Sequence, residues 1–437
     1  MATTTTTIEG PRRSGWRLPD AVSVLGERDF RVVWLGQAVS MTGTWMQAIA
    51  QGLLVLELWD SAFALGAVNF ANAMPSLLVM LFGGVLADRA DKRRILLWTQ
   101  VAMCLLAATV GTLVLADAIE FWIIIAATIG VGIAFGYDMP AYQAFLPELV
   151  PPARISQVVA LNSATFHGTR MLGPALAGGL IAAFGIATAY FLNAASFIAV
   201  IFSLLIVRYR PTPKAAGTVM MSTMDGLKEG LRHAKERANV QVFLGLTALA
   251  CTFLFPSMAI LSPYYVTNVL DEGAGVLGLM WAASGIGSLI GAMALVWWPT
   301  QHRVLRIWIA AAVGPVALAV MAITREPAIA IVAAGFTSIA FSSQLNLFQA
   351  MMQESTPQQF RGRVMSLNGI AFNGTMPLAG IAASLLAVWI GLPAVMLLSA
   401  VAYAAIAVVI LAYAAGGIVR VVAMSREQYE VVAAGGG

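Results

Sequence analysis

Long apolar runs recur with little interruption along this 437-residue chain. A helix needs ~20 mainly apolar residues to cross a ~30 Å hydrocarbon core. Twelve runs meet that length: 30–57, 62–86, 95–117, 121–146, 156–184, 187–207, 239–269, 274–298, 304–323, 328–352, 363–389 and 392–416. Inside lipid every backbone N–H and C=O must find its partner within the protein, which leaves helices or closed barrels. Barrel strands would read as ~10-residue segments of alternating polarity, and these runs do not. The expectation is an all-α integral membrane protein with twelve transmembrane helices. Composition agrees: 11% of the residues are charged, against roughly 25% in an ordinary soluble domain.

The few charges are placed unevenly. If the N-terminus is cytoplasmic, all but two of the 25 lysines and arginines fall in cytoplasmic segments; the exceptions are Arg170, inside a run, and Arg325. The positive-inside rule then puts both termini in the cytoplasm of a multi-pass protein of the inner (plasma) membrane. The net charge of +4 is accounted for by topology. A nucleic-acid partner would need a basic face on a soluble domain, and none is expected. MATTTTTIEGPRRSGWRLPD lacks the apolar core of a secretory signal and reads as a disordered tail.

Enzyme chemistry finds little footing. Cys104 and Cys251 lie in apolar runs, and His167, His233 and His302 lack metal-ligand spacing, so no metal site is expected. No Walker A sequence is present and no nucleophile–base pair is visible. The reading is that the chain is not an enzyme and has no cofactor, so any uphill work must draw on an ion gradient.

The chain also repeats itself. IAFGYDMPAYQAFLPELVP from Ile133 returns as IAFSSQLNLFQAMMQESTP from Ile339, an offset of 206 residues. LNSATFHG at 161–168 meets LNGIAFNG at 367–374, with Glu148/Glu354, Asn162/Asn368 and Gly168/Gly374 among the matches. Runs four and five therefore correspond to runs ten and eleven. Parallel six-helix repeats are a transporter architecture, with substrate bound near the midplane between them. The expected organisation is a tail (1–28), a six-helix bundle (29–208), a cytoplasmic linker with an amphipathic helix (209–238), a second bundle (239–417) and a tail (418–437).

GGVLADRADKRRIL, between runs two and three, packs six charges into the seven residues from Asp88 to Arg94. It resembles the signature loop of the major facilitator superfamily, through Gly84, Leu86, Asp88, Arg89, Arg93 and Leu96, with Asp91 where the family has glycine. PAYQAFLPELVPPARISQVVALNSATFHGTRMLGPALAGGL and FRVVWLGQAVSMTGTWMQ are similar to the branch containing enterobactin exporters and drug/proton antiporters. The resemblance implies two pseudo-symmetric six-helix bundles moving by alternating access. It also implies a conformational latch of Gly84, Asp88, Arg89, Arg93 and Arg94, with Asp88 against the positive N-terminal end of helix 11 while the cytoplasmic side is closed. The competing reading is a basic topogenic anchor. GPALAGG in the fifth run resembles an antiport element, here Gly173, Pro174, Gly178 and Gly179, with three residues rather than two between its pairs. Ordinary close helix packing explains the same residues.

Ionisable residues inside a membrane are expensive and rare. Asp138, Arg170, His167 and Glu57 are the candidates for proton coupling. Asp138 and Arg170 could pair across the fourth and fifth runs, as a switch or as a permanent salt bridge, and Asp138 has the further alternative of pairing with the cytoplasmic latch. Glu57 has the alternative of reaching the outer interface, and His167 that of a packed polar residue. If the family arrangement holds, the substrate cavity draws on Gln37, Trp45 and Gln47, on Tyr137, on Phe253 and Tyr264, and on Phe341, Gln344 and Asn346. Aromatics with scattered amides suit bulky, partly apolar solutes. The resulting expectation is a monomeric, proton-gradient-driven exporter of amphipathic drugs or similar small molecules, lying among membrane lipids. The alternatives are a dedicated siderophore or secondary-metabolite exporter and, more remotely, a non-transporting receptor.

Overall fold

The computed structural model describes residues 23–209, 231–232, 235, 237–298 and 302–412, except the side chains of 81–89, 238, 295–296 and 358–359. The C-terminal tail, the linker helix apart from a few residues, and residues 1–22 of the expected N-terminal tail lie outside these; the end of that tail is ordered instead, as a 3-10 turn over Ser23–Gly26 with Val24 buried, leading into a helix from Arg28. The side chains of Gly84, Asp88 and Arg89, three of the latch residues, lie outside them too.

Twelve long helical segments run through the described residues. In the first half they are α1 (Arg28–Leu58), α2 (Ala62–Arg89), α3 (Lys92–Leu115), α4 (Phe121–Phe145), α5 (Ile155–Phe184) and α6 (Ile186–Ile206). In the second they are α7 (Ala238–Phe253), α8 (Ala274–Trp297), α9 (Arg303–Ile323), α10 (Pro327–Ser355), α11 (Gln358–Ile390) and α12 (Leu392–Ala412). No strand occurs among the described residues. Among the described residues ten helices are long and apolar enough to cross a membrane. The two long helices outside that set are α1 and α5, which carry Gln37, Thr44, Gln47 and Gln51, and Asn162, Thr165, His167, Thr169 and Arg170. Their length suffices, at 31 and 30 residues, but their polar side chains dilute the hydropathy.

The repeat is visible in the joints. α5 passes to α6 through Gly185 alone, at φ 82°, and α11 passes to α12 through Gly391, at φ 80°. Positive φ is open to glycine at little cost, and these two glycines are 206 residues apart. After Phe253 the chain continues α7 through two π-helical turns, Pro256–Ile260 and Tyr265–Val269. Pro256 and Pro263 lack the N–H that a regular ladder would use, which explains why the ladder is re-spaced here.

Within each half the helices pack side by side, α1 with α6 and α2 with α4, and likewise α8 with α10 and α7 with α11. Two seams join the halves: α5 on α8, and α2 on α11. Close approaches run from mid-helix, where a Cβ at Gly285 would lie 2.8 Å from Met171 Cα, to one end. A Cβ at Gly178 would lie 2.8 Å from the Ala274 carbonyl oxygen and 3.3 Å from Gly278 Cα. A Cβ at Gly66 would collide with the Ser384 side chain, and one at Gly52 would lie 2.5 Å from Pro263. Asn268 Nδ2 donates to Asp60 Oδ1 at 2.7 Å across the same end. The turn between α2 and α3, with Asp91 to Arg94, is at the other end, called here the basic end. The halves are thus sealed at the end away from the basic turn.

Candidate functional site

Arg170 lies in the middle of α5, one turn before Pro174. Its guanidinium carbon sits 5.7 Å from the centroid of the Trp45 ring on α1. Trp45 contacts Phe166 edge-on at 5.9 Å and Trp281 of α8 at 6.0 Å. The Trp281 indole N–H donates to Ser262 Oγ at 2.9 Å, at the break between the π turns of α7. Gly173 makes the arrangement possible: a Cβ there would lie 2.6 Å from Trp45 Cβ and 2.8 Å from the Thr42 carbonyl oxygen, so α1 and α5 touch at this level. The result is a cation on aromatic rings drawn from both halves, directly on the basic-end side of the Gly178–Gly278 seal. Trp281 was missing from the expected site. Its signal was an aromatic midway between small residues, as in GLMWAASGIG, which marks a helix that packs closely yet carries one large side chain.

The expected pair of Asp138 with Arg170 does not form. Asp138 is 5% exposed and turned toward α3, where Oδ1 receives the Thr99 hydroxyl at 2.6 Å and Gln100 Nε2 at 3.0 Å. α4 packs on α2 and α3, whereas α5 packs on α1 and α8, so the two side chains belong to different interfaces. The Thr99 hydroxyl also lies 3.0 Å from the Leu96 carbonyl oxygen. One proton cannot serve both bonds fully. If Thr99 donates to its own helix, the Asp138–Thr99 contact calls for a proton on Asp138. His167 sits edge-on to Phe166 at 5.6 Å, with Nδ1 buried and without a partner. Glu57 is exposed at the end of α1 opposite the basic turn, away from the Arg170 cluster.

Several residues expected to line a cavity are turned into their own half. Gln47 Oε1 accepts from Asn193 Nδ2 at 2.7 Å. Gln344 is 1% exposed and accepts from the Tyr403 hydroxyl at 2.5 Å. Phe341 is buried against Phe255, and Asn346 Nδ2 donates back to the Ser342 carbonyl at 2.7 Å. These bonds engage one end of each amide inside its own bundle, while Gln344 Nε2 is buried without a partner. Gln37, Tyr137, Phe253 and Tyr264 are partly buried. In the helix 5 element, Gly173, Pro174 and Gly178 lie in tight contacts, while a Cβ at Gly179 would meet nothing within 4 Å.

At the basic end each half carries its own ion pair. Lys92 Nζ lies 3.0 Å from Glu148 Oε1, and the Tyr209 hydroxyl donates to Glu148 Oε2 at 2.6 Å. Burial and then the bond to Glu148 push the Tyr209 phenol up, which keeps it a donor. In the second half Arg303 makes a two-pronged pair with Glu354, one prong at 2.9 Å. Both acids belong to the 206-residue repeat; their partners were not anticipated. Asp91 caps α3, its side chain accepting from the Arg93 and Arg94 amides at 3.0 and 3.4 Å. An acid just before an apolar helix is an N-cap signal, which explains why the glycine of the signature is dispensable here. Arg93 donates to the Leu205 carbonyl at 2.9 Å and Arg94 lies 3.6 Å from Asp91. Among the described residues no cluster of three or more metal-ligating side chains is found.

A family model described as transmembrane secretion effector matches residues 20–429. The staphyloferrin A transporter of Staphylococcus aureus (strain NCTC 8325 / PS 47) is 27% identical over 259 residues, 58% of this chain and 63% of that protein. This chain therefore spans less than two thirds of that relative's length. The multidrug efflux pump Tap of Mycolicibacterium fortuitum is 25% identical over 364 residues, 81% of this chain and 88% of that protein. The crystal structure of the nucleoside transporter NupG matches with a TM-score of 0.70 at 11% identity, covering 88% of this chain and 98% of that one. That likeness is one of fold alone.

Proposed function

The chain belongs to the transmembrane secretion effector family of major facilitator membrane transporters, and from that premise we propose that it exports amphipathic or otherwise lipophilic small molecules by alternating access, driven by the proton gradient. The observation that carries this reading is the Arg170–Trp45–Trp281 cluster on the α5–α8 seam, beside the Gly178–Gly278 contact that closes the end away from the basic turn. A solute entering from the basic end would reach aromatic rings contributed by both halves, so its binding would depend on how the halves are set. With the basic end in the cytoplasm, as the distribution of arginine and lysine favours, that solute would enter from inside the cell and leave outward. Relatives described as a multidrug efflux pump and as a macrolide efflux protein support the direction of transport.

Asp138 is our proton carrier. It is a buried carboxyl with neutral donors rather than a cation beside it, a setting able to hold a neutral acid. When the basic end closes, α3 and α4 must shift against their neighbours, and a changed set of donors releases the proton. The chain carries no nucleotide-binding sequence, so we assign the energy to the gradient and no cofactor to the protein. We take it to act as a monomer in the plasma membrane. The siderophore transporter among its relatives favours a second reading, an exporter dedicated to one metal-chelating metabolite.

The test is a drug and metabolite susceptibility panel in an efflux-deficient host, with and without an uncoupler. Uncoupler-sensitive resistance to several unrelated lipophilic compounds supports the first reading, and resistance to a single chelator class the second. Export that persists after the proton gradient collapses would overturn proton coupling.

A further inference from the structure

Arg170 has a cost that its surroundings do not offset. An arginine at the centre of a membrane helix costs ~2.5–3.5 kcal/mol on insertion scales, and such residues are retained for a partner or a task. Among the described residues it makes no hydrogen bond and no ion pair; its one specific contact is the face of Trp45, 5.7 Å away. Stacking on a ring leaves the in-plane N–H groups of the guanidinium free. These are five donors in a fixed fork that matches a carboxylate or phosphate through two parallel bonds. The buried, unpartnered Nδ1 of His167 lies on the same helix one turn nearer the basic end.

The rings around the cation are held in place by other contacts. Trp45 is pinned against α5 by the Gly173 contact, and Trp281 is oriented by its bond to Ser262. Phe166, on the basic-end side of Arg170, is exposed. The site therefore offers one uncompensated positive charge and three rings, with the Phe166 and Trp281 centroids 5.9 and 6.0 Å from that of Trp45, and the exposed Phe166 lies on its basic-end side. The acids that would attract a cationic solute are elsewhere: Asp138 is committed to α3, and Glu57 lies exposed at the far end of α1. A cationic solute placed against Trp45 would compete with Arg170 for the same ring and be repelled by it.

We infer that the transported solute is an amphiphilic anion, whose carboxylate or phosphate group is held by Arg170 while its apolar body lies on Trp45, Trp281 and Phe166. This rests on the export reading above and narrows its substrate class. Arg170 binds the solute directly, and Trp281 ties that binding to the position of the second half.

The experiment is calorimetric binding to the purified full-length chain in neutral detergent, using three naphthalene probes of matched shape: 2-naphthylacetate, 2-naphthylmethylamine and 2-naphthylmethanol. The expected order is anion first, at least about tenfold tighter than the other two, the discrimination that one charge-assisted contact supplies at ~1.4 kcal/mol per decade. Arg170→Met should erase the preference for the anion and leave binding of the alcohol unchanged, and Arg170→Lys should retain part of it. Gly245→Ala, on α7 and outside every site named above, serves as the folded control, since its added Cβ meets nothing within 4 Å. If Arg170→Met does not fold, the Arg170→Lys series against wild type decides. A wild-type protein that binds the amine as tightly as the anion overturns the proposal, as does an unchanged preference in a folded Arg170→Met. Adding phosphatidylglycerol distinguishes the source of the anion: competition that requires Arg170 assigns the site to a lipid headgroup, and its absence assigns it to a free solute. Binding does not depend on export. Anion preference without gradient-driven flux would sink the export reading alone, and flux of amines untouched by Arg170→Met would sink this one alone.

Discussion

At an offset of 206 residues, Arg170 on α5 has Met376 as its counterpart on α11, Asp138 on α4 has Gln344 on α10, and Gly178 has Ser384. Trp45 on α1 corresponds at the same offset to Cys251 on α7. The two halves share their helices, their glycine joints and their basic-end acids, and they differ at the positions that carry charge. In the first half a buried acid and a cation remain unpaired with each other. In the second, the counterparts of these two residues are neutral: Gln344 accepts from Tyr403, and Met376 stands for Arg170. The seams differ in the same way. α5 meets α8 backbone to backbone, with a Gly278 Cβ falling 2.7 Å from the Pro174 carbonyl oxygen, whereas α11 meets α2 through the Ser384 side chain on Gly66.

The largest effect should come from the acid. Asp138→Asn keeps the shape and can still accept from Thr99 and Gln100, yet it cannot release a proton. We expect uphill export to be lost while solute binding in the purified protein is kept. Gln344→Leu, at the matching place, removes the acceptor for Tyr403 and should cost roughly 1–3 kcal/mol of stability with coupling intact. Uphill transport by a folded Asp138→Asn would remove the proposed carrier.

Next come the basic-end pairs. Lys92 and Glu148 have side chains 8% and 20% exposed, whereas Glu354 is 48% exposed. Breaking a buried pair strands a charge, so Lys92→Met should cost on the order of 3 kcal/mol. Arg303→Met leaves an acid that water can reach and should cost about 1 kcal/mol or less. Thermal unfolding of the two purified variants tests the order, and equal shifts would mean that burial does not distinguish the halves here.

A swap at the seams follows. Gly178→Ser makes α5 like α11, but the new Cβ would lie 2.8 Å from a carbonyl oxygen. Overpacking of that kind costs ~1–3 kcal/mol, and it would fall on the conformation sealed at this end. Spin-label distances across that end should lengthen and transport should slow. Ser384→Gly, the reverse change, relieves a contact and should leave both measurements near wild type. Identical behaviour of the two variants would make the seams equivalent.

The smallest effect belongs to the cap. Asp91→Ala should cost ~1 kcal/mol and Asp91→Gly only a few tenths, read as a shift in the unfolding midpoint. A loss of transport with Asp91→Gly would show that the acid does more than cap α3.

The amino-acid sequence by itself determined that this is a helical membrane protein, that it is built twice, and which residue types are rare enough inside lipid to matter. Those conclusions rest on properties each residue carries alone: hydropathy summed over a window, charge in a segment, identity at a fixed offset. It also marked Gly173, Pro174 and Gly178, because small residues in a helix have few other uses. Partnership was beyond it. Asp138 and Arg170 lie on consecutive helices, and only packing decided that α4 turns its acid to α3 while α5 turns its cation to α1. Gln47 and Gln344 are polar in the right helices, yet their side-chain oxygens accept from Asn193 and Tyr403, which come from helices distant in sequence. Trp281 reached the site through the seam alone. The contact between Trp45 and Trp281 depends on Gly178 and Gly278 letting two backbones touch, and no local pattern encodes where two helices from different halves will meet.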